Sequence, residues 1–91
     1  MMTYTEIKAK AAKIKAKHPD CVLLFRVGDE YQMFDSDTEV GSKCLGLEVT
    51  VHSDGVFSEK TLKCAFSLNR LDVFLPKIIR KGHRVAICEL G

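Results

Sequence analysis

The chain has 91 residues, 46% of them hydrophobic and 29% charged, with a formal net charge of +2. This composition is typical of a single small globular domain, and the charge is far from the strongly basic balance of an independent nucleic-acid-binding protein. With no apolar run near the roughly 20 residues that span a bilayer and no secretory apolar stretch at the N-terminus, we expect one cytoplasmic module over residues 1–91, without membrane association.

The first predicted element is a helix that opens with a capping box, Thr3-x-x-Glu6. Its apolar positions recur at helical spacing and comprise Tyr4, Ile7, Ala11 and Ile14. Pro19 ends the helix, because the residue before a proline is pushed out of the helical region.

A β-hairpin follows in the stretch LLFRVGDEYQMF, residues 23–34. Two apolar runs flank Gly28-Asp29, and glycine takes the positive φ of a tight reversal without steric cost. Side chains alternate along a strand, so Glu30 and Gln32 lie on one face of the second strand and Tyr31 on the other.

A short helix and two strands are predicted next. Asp35 and Asp37 can serve as N-caps of the helix, and Gly46 ends it. Apolar residues alternate with polar ones over residues 47–52 and again over 61–66, as in half-buried strands.

The last helix has a complete apolar stripe, which comprises Leu71, Phe74, Leu75, Ile78 and Ile79. Pro76 falls inside the pattern, so the helix either begins near Asp72 or bends at the proline. Gly82 closes it, and the run Val85–Cys88 is apolar on both faces, as expected of a central strand. The predicted fold is a single α/β domain of the α+β type, with a mixed sheet of about five strands flanked by helices.

The four cysteines are scattered through these apolar patterns at positions 21, 44, 64 and 88. Two disulfides would be possible in an oxidising compartment, but nothing in the sequence indicates secretion. We therefore expect reduced thiols that belong to the core.

Several segments together resemble the first, mismatch-reading domain of MutS-type DNA mismatch-repair proteins. Residues 28–34, GDEYQMF, are similar to the family pattern G-D-F-Y-E-L-F, and residues 85–89 match its V-A-I-C-E strand. His18-Pro19-Asp20 is similar to the family's lead-in, and residues 75–79 to its L-A-K-L-V helix. The resemblance extends from about residue 7 to residue 91 and implies both the fold and an association with DNA.

The resemblance also implies where mismatch recognition would take place. In the family's functional members the Phe of the motif wedges into the minor groove beside a mispaired base, and the Glu hydrogen-bonds that base. Here these two positions hold Glu30 and Gln32. A carboxylate cannot stack on a base and is repelled by phosphates, whereas Gln32 can still read a base edge. We therefore expect no mismatch reading by the family mechanism. In the simplest interpretation of Glu30, it has no role in binding and is an ordinary solvated residue at the edge of a loop.

Two basic clusters are further candidates for contact with DNA. Five lysines on the first helix include Lys8 and Lys15, and the second cluster comprises Arg80, Lys81 and Arg84. Phosphate contacts need such charges. A solvated helix face explains the first cluster equally well, and cations near the end of a helix explain the second.

Catalysis has no support in the sequence. The phosphate-binding pattern G-x-x-x-x-G-K-[ST] is absent, and no His or Cys spacing is typical of a metal site. We expect a non-enzymatic domain without cofactor or metal. Its candidate partners are double-stranded DNA or, as the alternative function, another MutS-like domain or a different protein bound through the hairpin or a sheet edge.

Overall fold

The computed structural model describes residues 2–90, and the strands within them form one sheet. The strands are β1 (Cys21–Val27), β2 (Glu30–Phe34), β3 (Thr50–His52), β4 (Thr61–Ser67) and β5 (Arg84–Glu89). Their spatial order is β3-β4-β2-β1-β5, and β5 is parallel to β1 while all other neighbours are antiparallel. The mixed five-stranded sheet predicted from the sequence is confirmed.

Three α-helices cover the two faces of this sheet: α1 (Tyr4–Lys17), α2 (Thr38–Leu45) and α3 (Leu71–Arg80). Short 3-10 turns at Asp35–Asp37 and Leu68–Arg70 lead into α2 and α3. Helix α1 packs on the face that carries Leu23, Phe25 and Phe34. Helices α2 and α3 cover the opposite face, whose buried side chains include Leu24, Tyr31, Met33, Cys64 and Phe66, and Ile78 of α3 belongs to the same cluster.

The backbone N–H groups at the N-terminus of α1 donate hydrogen bonds to two acceptors, one in the cap of the helix and one in a distant loop. Thr3 and Glu6 form the expected capping box, in which the Thr3 hydroxyl accepts from the Glu6 N–H. Asp54, from the loop between β3 and β4, accepts from the N–H groups of Tyr4 and Thr5 at 2.9 and 2.7 Å. Because the first N–H groups of a helix lack partners within it, Asp54 anchors α1 to that loop.

The hairpin has the predicted two-residue turn, with Val27 opposite Glu30. Gly28 has a φ of 60°, which a residue with a Cβ rarely adopts. Gly46 is likewise left-handed at the end of α2, where its N–H donates to the Ser42 carbonyl and the next N–H reaches Gly41. Both glycine predictions are confirmed.

The structure corrects the predicted place of β5, which forms an edge of the sheet, not its centre. The side chain of Ile87 is consequently 53% exposed, although its neighbours in sequence are apolar. A strand that is apolar on both faces predicts burial by layers above and below, but it does not predict a neighbouring strand on each side.

Asp35 and Asp37 do not cap α2, contrary to the expectation from their spacing. The Asp35 carboxylate accepts from the Leu62 N–H, and the Asp37 carboxylate accepts from the Leu23 N–H. Each aspartate therefore satisfies the backbone of a strand that is distant in sequence. The spacing of residues around each aspartate does not indicate a hydrogen-bond partner so far away in the sequence.

Two smaller differences concern element boundaries. Pairing of the third strand begins only at Thr50, while Leu47 and Val49 pack on the core from irregular backbone. Helix α3 begins at Leu71, one residue before the predicted start, and continues through Pro76.

Candidate nucleic-acid interface

Glu30 and Gln32 lie at the hairpin end of the sheet, on the face that carries α1. Gln32 stands between Phe25 on β1 and Ala65 on β4, and only 7% of it is exposed. Its Nε2 donates a hydrogen bond to Oε1 of Glu30 at 2.7 Å. The structure thus brings these two candidate residues together, and one hydrogen bond joins their side chains.

Tyr31, the one aromatic residue between them, is directed to the other face. It is 8% exposed, and its ring packs on that of Phe66 with the centroids 5.5 Å apart. Phe66 in turn packs edge-on against Phe74 of α3. The Tyr31 ring is therefore part of the core and cannot replace a stacking group on the Glu30 side.

The candidate lysines of α1 form bonds within the domain. Lys8 Nζ lies 3.1 Å from Oδ2 of Asp35 and also donates to the Lys60 carbonyl. Lys15 Nζ lies 2.7 Å from Oδ1 of Asp37 and donates to the Cys21 carbonyl. These contacts hold α1 on the sheet. Both ammonium groups are thereby partly neutralised before any ligand arrives.

The second basic cluster has a different character. Arg80, Lys81 and Arg84 are all exposed at the turn between α3 and β5. A groove of about 520 Å³ next to this turn is lined by Lys81 and His83 on one side and by Lys43 of α2 on the other. The sequence prediction did not consider Lys43, because nothing in a local pattern indicates that α2 lies beside this turn. Glu39 also lines the groove and lies 2.6 Å from Lys43, so this ammonium group too is partly neutralised within the domain.

The hairpin and the α3–β5 turn lie at opposite ends of the sheet. Glu30 pairs with Val27, the last residue of β1, whereas Arg84 pairs with Cys21, the first. Six residue steps along a strand correspond to roughly 20 Å. The candidate residues predicted from the sequence are therefore not gathered into one compact site.

The described residues offer little for metal chemistry or for membrane insertion. Over residues 2–90, His, Cys, Asp and Glu side chains form no group of three or more that could hold a metal ion. None of the helices in this part of the chain has the length and apolar character needed to cross a bilayer. The four cysteines are free thiols; burial raises the pKa of Cys64 to about 11, so that this thiol is inert at neutral pH.

Comparison with known proteins identifies the class to which this fold and hairpin belong. The family described as MutS domain I matches residues 5–90. The chain belongs to this family, the N-terminal mismatch-recognition domain of DNA mismatch repair protein MutS. The resemblance inferred from the sequence motifs is thus confirmed.

Similar full-length proteins come from several bacteria, and each is named DNA mismatch repair protein MutS. The chain is 47% identical to the Parabacteroides distasonis protein over 76 residues, or 84% of the chain. It is 44% identical to the Porphyromonas gingivalis protein and 40% identical to the Aquifex pyrophilus protein, each over 85 residues, or 93% of the chain. The matched segment is only 9–10% of the length of these relatives.

Proposed function

We propose that residues 1–91 act as a single non-catalytic module that associates with double-stranded DNA but does not read mismatches by the mechanism of its family. One observation carries the proposal: Gln32 donates a side-chain N–H to Glu30, and the nearby rings of Phe25, Tyr31 and Phe34 are all buried.

The absence of an aromatic ring at position 30 has a direct physical consequence. An apolar ring can replace a lost stacking partner when a duplex kinks at a mispaired step, whose unstacking costs a few kcal/mol. Glu30 has no stacking face, and its charge opposes approach to the phosphates. In addition, Gln32 is buried, and one of its side-chain N–H groups already donates to Glu30. Neither residue supplies the energy that makes a mismatch preferable to a matched pair.

We assign the contact with the DNA backbone to the α3–β5 turn. Arg80, Lys81 and Arg84 are exposed there, and cations of this kind contact phosphates without regard to sequence. Lys8 and Lys15 are assigned a different part, since their ion pairs with Asp35 and Asp37 hold α1 in place. The interface is thus electrostatic and at the opposite end of the sheet from the hairpin.

Fluorescence anisotropy with a matched and a G·T-mismatched duplex, over a salt series, tests the proposal. We expect equal affinities for the two duplexes and a steep fall in affinity with salt. The triple change Arg80→Glu, Lys81→Glu and Arg84→Glu should lower the salt slope by about 1 for each phosphate that the protein no longer neutralises. The control is Arg26→Glu, which changes an exposed charge at the hairpin end of β1, at the opposite end of the sheet from the turn, and should have a smaller effect.

Two outcomes would contradict the proposal. A clear preference for the mismatch that is abolished by Glu30→Ala or Gln32→Ala would show that the hairpin reads bases. Absence of binding at low salt would reject DNA association of this chain altogether. A complementary gain-of-function variant, Glu30→Phe with Gln32→Glu, introduces the residue types of the family motif and should create a mismatch preference if the scaffold is intact.

A second candidate function, binding to another MutS-like domain or to a different protein, is favoured by the loop between β3 and β4. Val56 and Phe57 are 94% and 103% exposed at its tip, while Asp54 anchors its base to α1. Large exposed apolar side chains at a loop tip suit a protein-binding surface. Titration with the full-length Parabacteroides distasonis relative tests this: binding that Phe57→Ser abolishes would support it, and absence of binding would reject that partner.

We propose a cytoplasmic location for the chain. Its free cysteines suit a reducing compartment, and its bacterial relatives are named for DNA repair.

A further inference from the structure

The basic side chains of this domain fall into two groups, according to whether a carboxylate neutralises them. Among the described residues, the ion pairs involve cations of α1 and α2 only. Along α3 and at its two ends, by contrast, exposed cations form no ion pair within residues 2–90; they are Arg70, Lys77, Arg80 and Lys81. Helix α3 therefore carries positive charge that is available to an anion.

Three of these cations lie in a row along one side of α3. Arg70 immediately precedes the helix, Lys77 comes seven residues later, and Lys81 follows the last helical residue. With 3.6 residues per turn, separations of seven and eleven residues are close to two and three whole turns, so the three side chains leave the helix in nearly the same direction. At a rise of 1.5 Å per residue the row is about 16 Å long. Asp72, the one acidic residue of α3, lies two residues after Arg70 and therefore on the opposite side.

The ring of Phe74 orients two members of this row. Arg70 Cζ lies 5.1 Å and Lys77 Nζ 5.8 Å from the ring centroid. The ring itself is held by the core, since it packs edge-on against Phe66. A neutral ring attracts a cation without cancelling its charge, unlike the carboxylates that bind the lysines of α1. The two side chains are thus partly ordered before an anion arrives, which lowers the entropic cost of binding.

The row connects the α3–β5 turn with the hairpin end of the domain. The C-terminal end of α3 leads into that turn, where Arg80, Lys81 and Arg84 are exposed. At the other end, the Leu68 N–H before the helix donates to the carbonyl of Asp29 in the hairpin turn at 3.1 Å. Each strand of a duplex carries one phosphate for about every 3.4 Å of the duplex axis, so a row of about 16 Å can face about five phosphates of one strand.

We propose that this side of α3 binds the sugar–phosphate backbone along one strand of duplex DNA, so that Arg70 and Lys77 extend the contact from the turn towards the hairpin. This contact, which rests on the proposed function, gives the bound strand a direction across the domain. A polyanion suits the row because its charge repeats along its length, as the cations do, and because the row is continuous with the cations of the turn. An acidic polypeptide is the competing occupant.

Fluorescence anisotropy of the 91-residue chain with a matched duplex, over a salt series, tests the proposal. Arg70→Gln with Lys77→Gln should lower the salt slope by about 2, close to 1 for each phosphate contact that is lost. The matched control, Lys13→Gln with Lys60→Gln, removes two exposed charges from α1 and from the loop before β4 and should leave the slope unchanged. Far-ultraviolet circular dichroism verifies that both variants keep the fold.

Acetylation of lysines, mapped by mass spectrometry with and without DNA, locates the contact in the unaltered chain. We expect the duplex to protect Lys77 together with Lys81 and to leave Lys13 and Lys60 reactive. Poly-L-glutamate serves as the second probe, and at an equal concentration of charge it should protect Lys77 less than the duplex does.

The results distinguish a failure of this proposal from a failure of the proposed function. If binding depends on Arg80, Lys81 and Arg84 but the changes at Arg70 and Lys77 leave the slope unaltered, the contact is confined to the turn; the row is then rejected and the proposed function stands. Absence of DNA binding at low salt rejects both. Protection of Lys77 by poly-L-glutamate but not by DNA would assign the row to an acidic polypeptide and overturn the proposal.

Discussion

Lys15 of α1 and Asp37 of the turn before α2 form a partly buried ion pair, with Nζ 2.7 Å from Oδ1. The side chain of Asp37 is only 9% exposed, and its second oxygen accepts from the Leu23 N–H on the interior strand β1. One carboxylate thus links a helix, a turn and a strand. The ion pair therefore stabilises the packing of these three elements, although the sequence suggested that Lys15 was free to contact phosphate.

Removal of this carboxylate should strongly destabilise the domain. Asp37→Ala leaves the buried Leu23 N–H without a partner and Lys15 without its counter-charge, and we expect a loss of about 3 kcal/mol in the free energy of unfolding. Urea denaturation measures it. Glu39→Ala, which breaks the exposed pair with Lys43, is the control and should have little effect, because exposed ion pairs are screened by solvent. Equal losses for the two variants would contradict the assigned role.

Gly41 should be intolerant of a side chain despite its place in a helix. A Cβ there would lie 2.5 Å from Sγ of Cys64 and 3.1 Å from Sδ of Met33, both in the core. Alanine favours the helix by about 1 kcal/mol, but we expect overpacking to reverse the sign and destabilise Gly41→Ala by about 1–2 kcal/mol. In Cys64→Ala the space is open, so the same change should become neutral or stabilising. A double-mutant cycle that shows no coupling would disprove this contact.

Thr61→Val should increase stability. Thr61 is fully buried, and among the described residues its Oγ1 has no hydrogen-bond partner. Replacing an unsatisfied hydroxyl by a methyl group of similar shape removes a desolvation penalty of about 1 kcal/mol or more. Thermal unfolding provides the measurement. Thr38→Val is the comparison, since the Thr38 hydroxyl donates to the Asp35 carbonyl and its loss should destabilise. A lower melting temperature for Thr61→Val would point to a polar contact for that hydroxyl.

The contribution of Asp54 to stability should depend on pH. Hydrogen bonds from the Thr5 hydroxyl, and then from the N–H groups of Thr5 and Tyr4, hold the pKa of Asp54 below its ordinary value. A carboxyl with a lowered pKa stabilises the fold above its unfolded pKa of about 3.9, and this stabilisation is lost as the pH falls through the folded value. Asp54→Asn should therefore lower the melting temperature at pH 7 and have a much smaller effect at about pH 2.

A second variant separates this effect from general acid unfolding. Thr5→Ala removes the hydrogen bond that lowers the pKa of Asp54 most, so it should weaken the pH dependence that Asp54→Asn reveals. An unchanged difference between Asp54→Asn and its parent at the two pH values would contradict the proposed anchoring of α1.

Local chemistry predicted the local features of the fold. The capping box at Thr3, the turn at Gly28 and the end of α2 at Gly46 each depend on residues a few positions apart, and all three are present. The partners of Asp35 and Asp37 are 27 and 14 residues away, at Leu62 and Leu23. For an aspartate before a helix, capping and a long-range bond give the same sequence pattern.

The candidate site was predictable to a similar extent. The motif identified the hairpin and placed Glu30 and Gln32 on one face, because strand alternation determines that placement. It could not indicate that their side chains bond to each other. Equally, a helix with five lysines has the same composition whether those lysines face solvent or, like Lys8 and Lys15, bind acids of the same domain.

The parallel pairing of β1 with β5 has a consequence for folding during synthesis. Cys21 pairs with Arg84, so the side of β1 that pairs with β5 stays open until the residues of β5 have left the ribosome. Until then the apolar residues of β1 have only the hairpin partner β2, and contacts so distant in sequence form slowly. A ribosome that pauses before Arg84 would display the unpaired edge of β1, and we expect chaperones to bind nascent chains of that length.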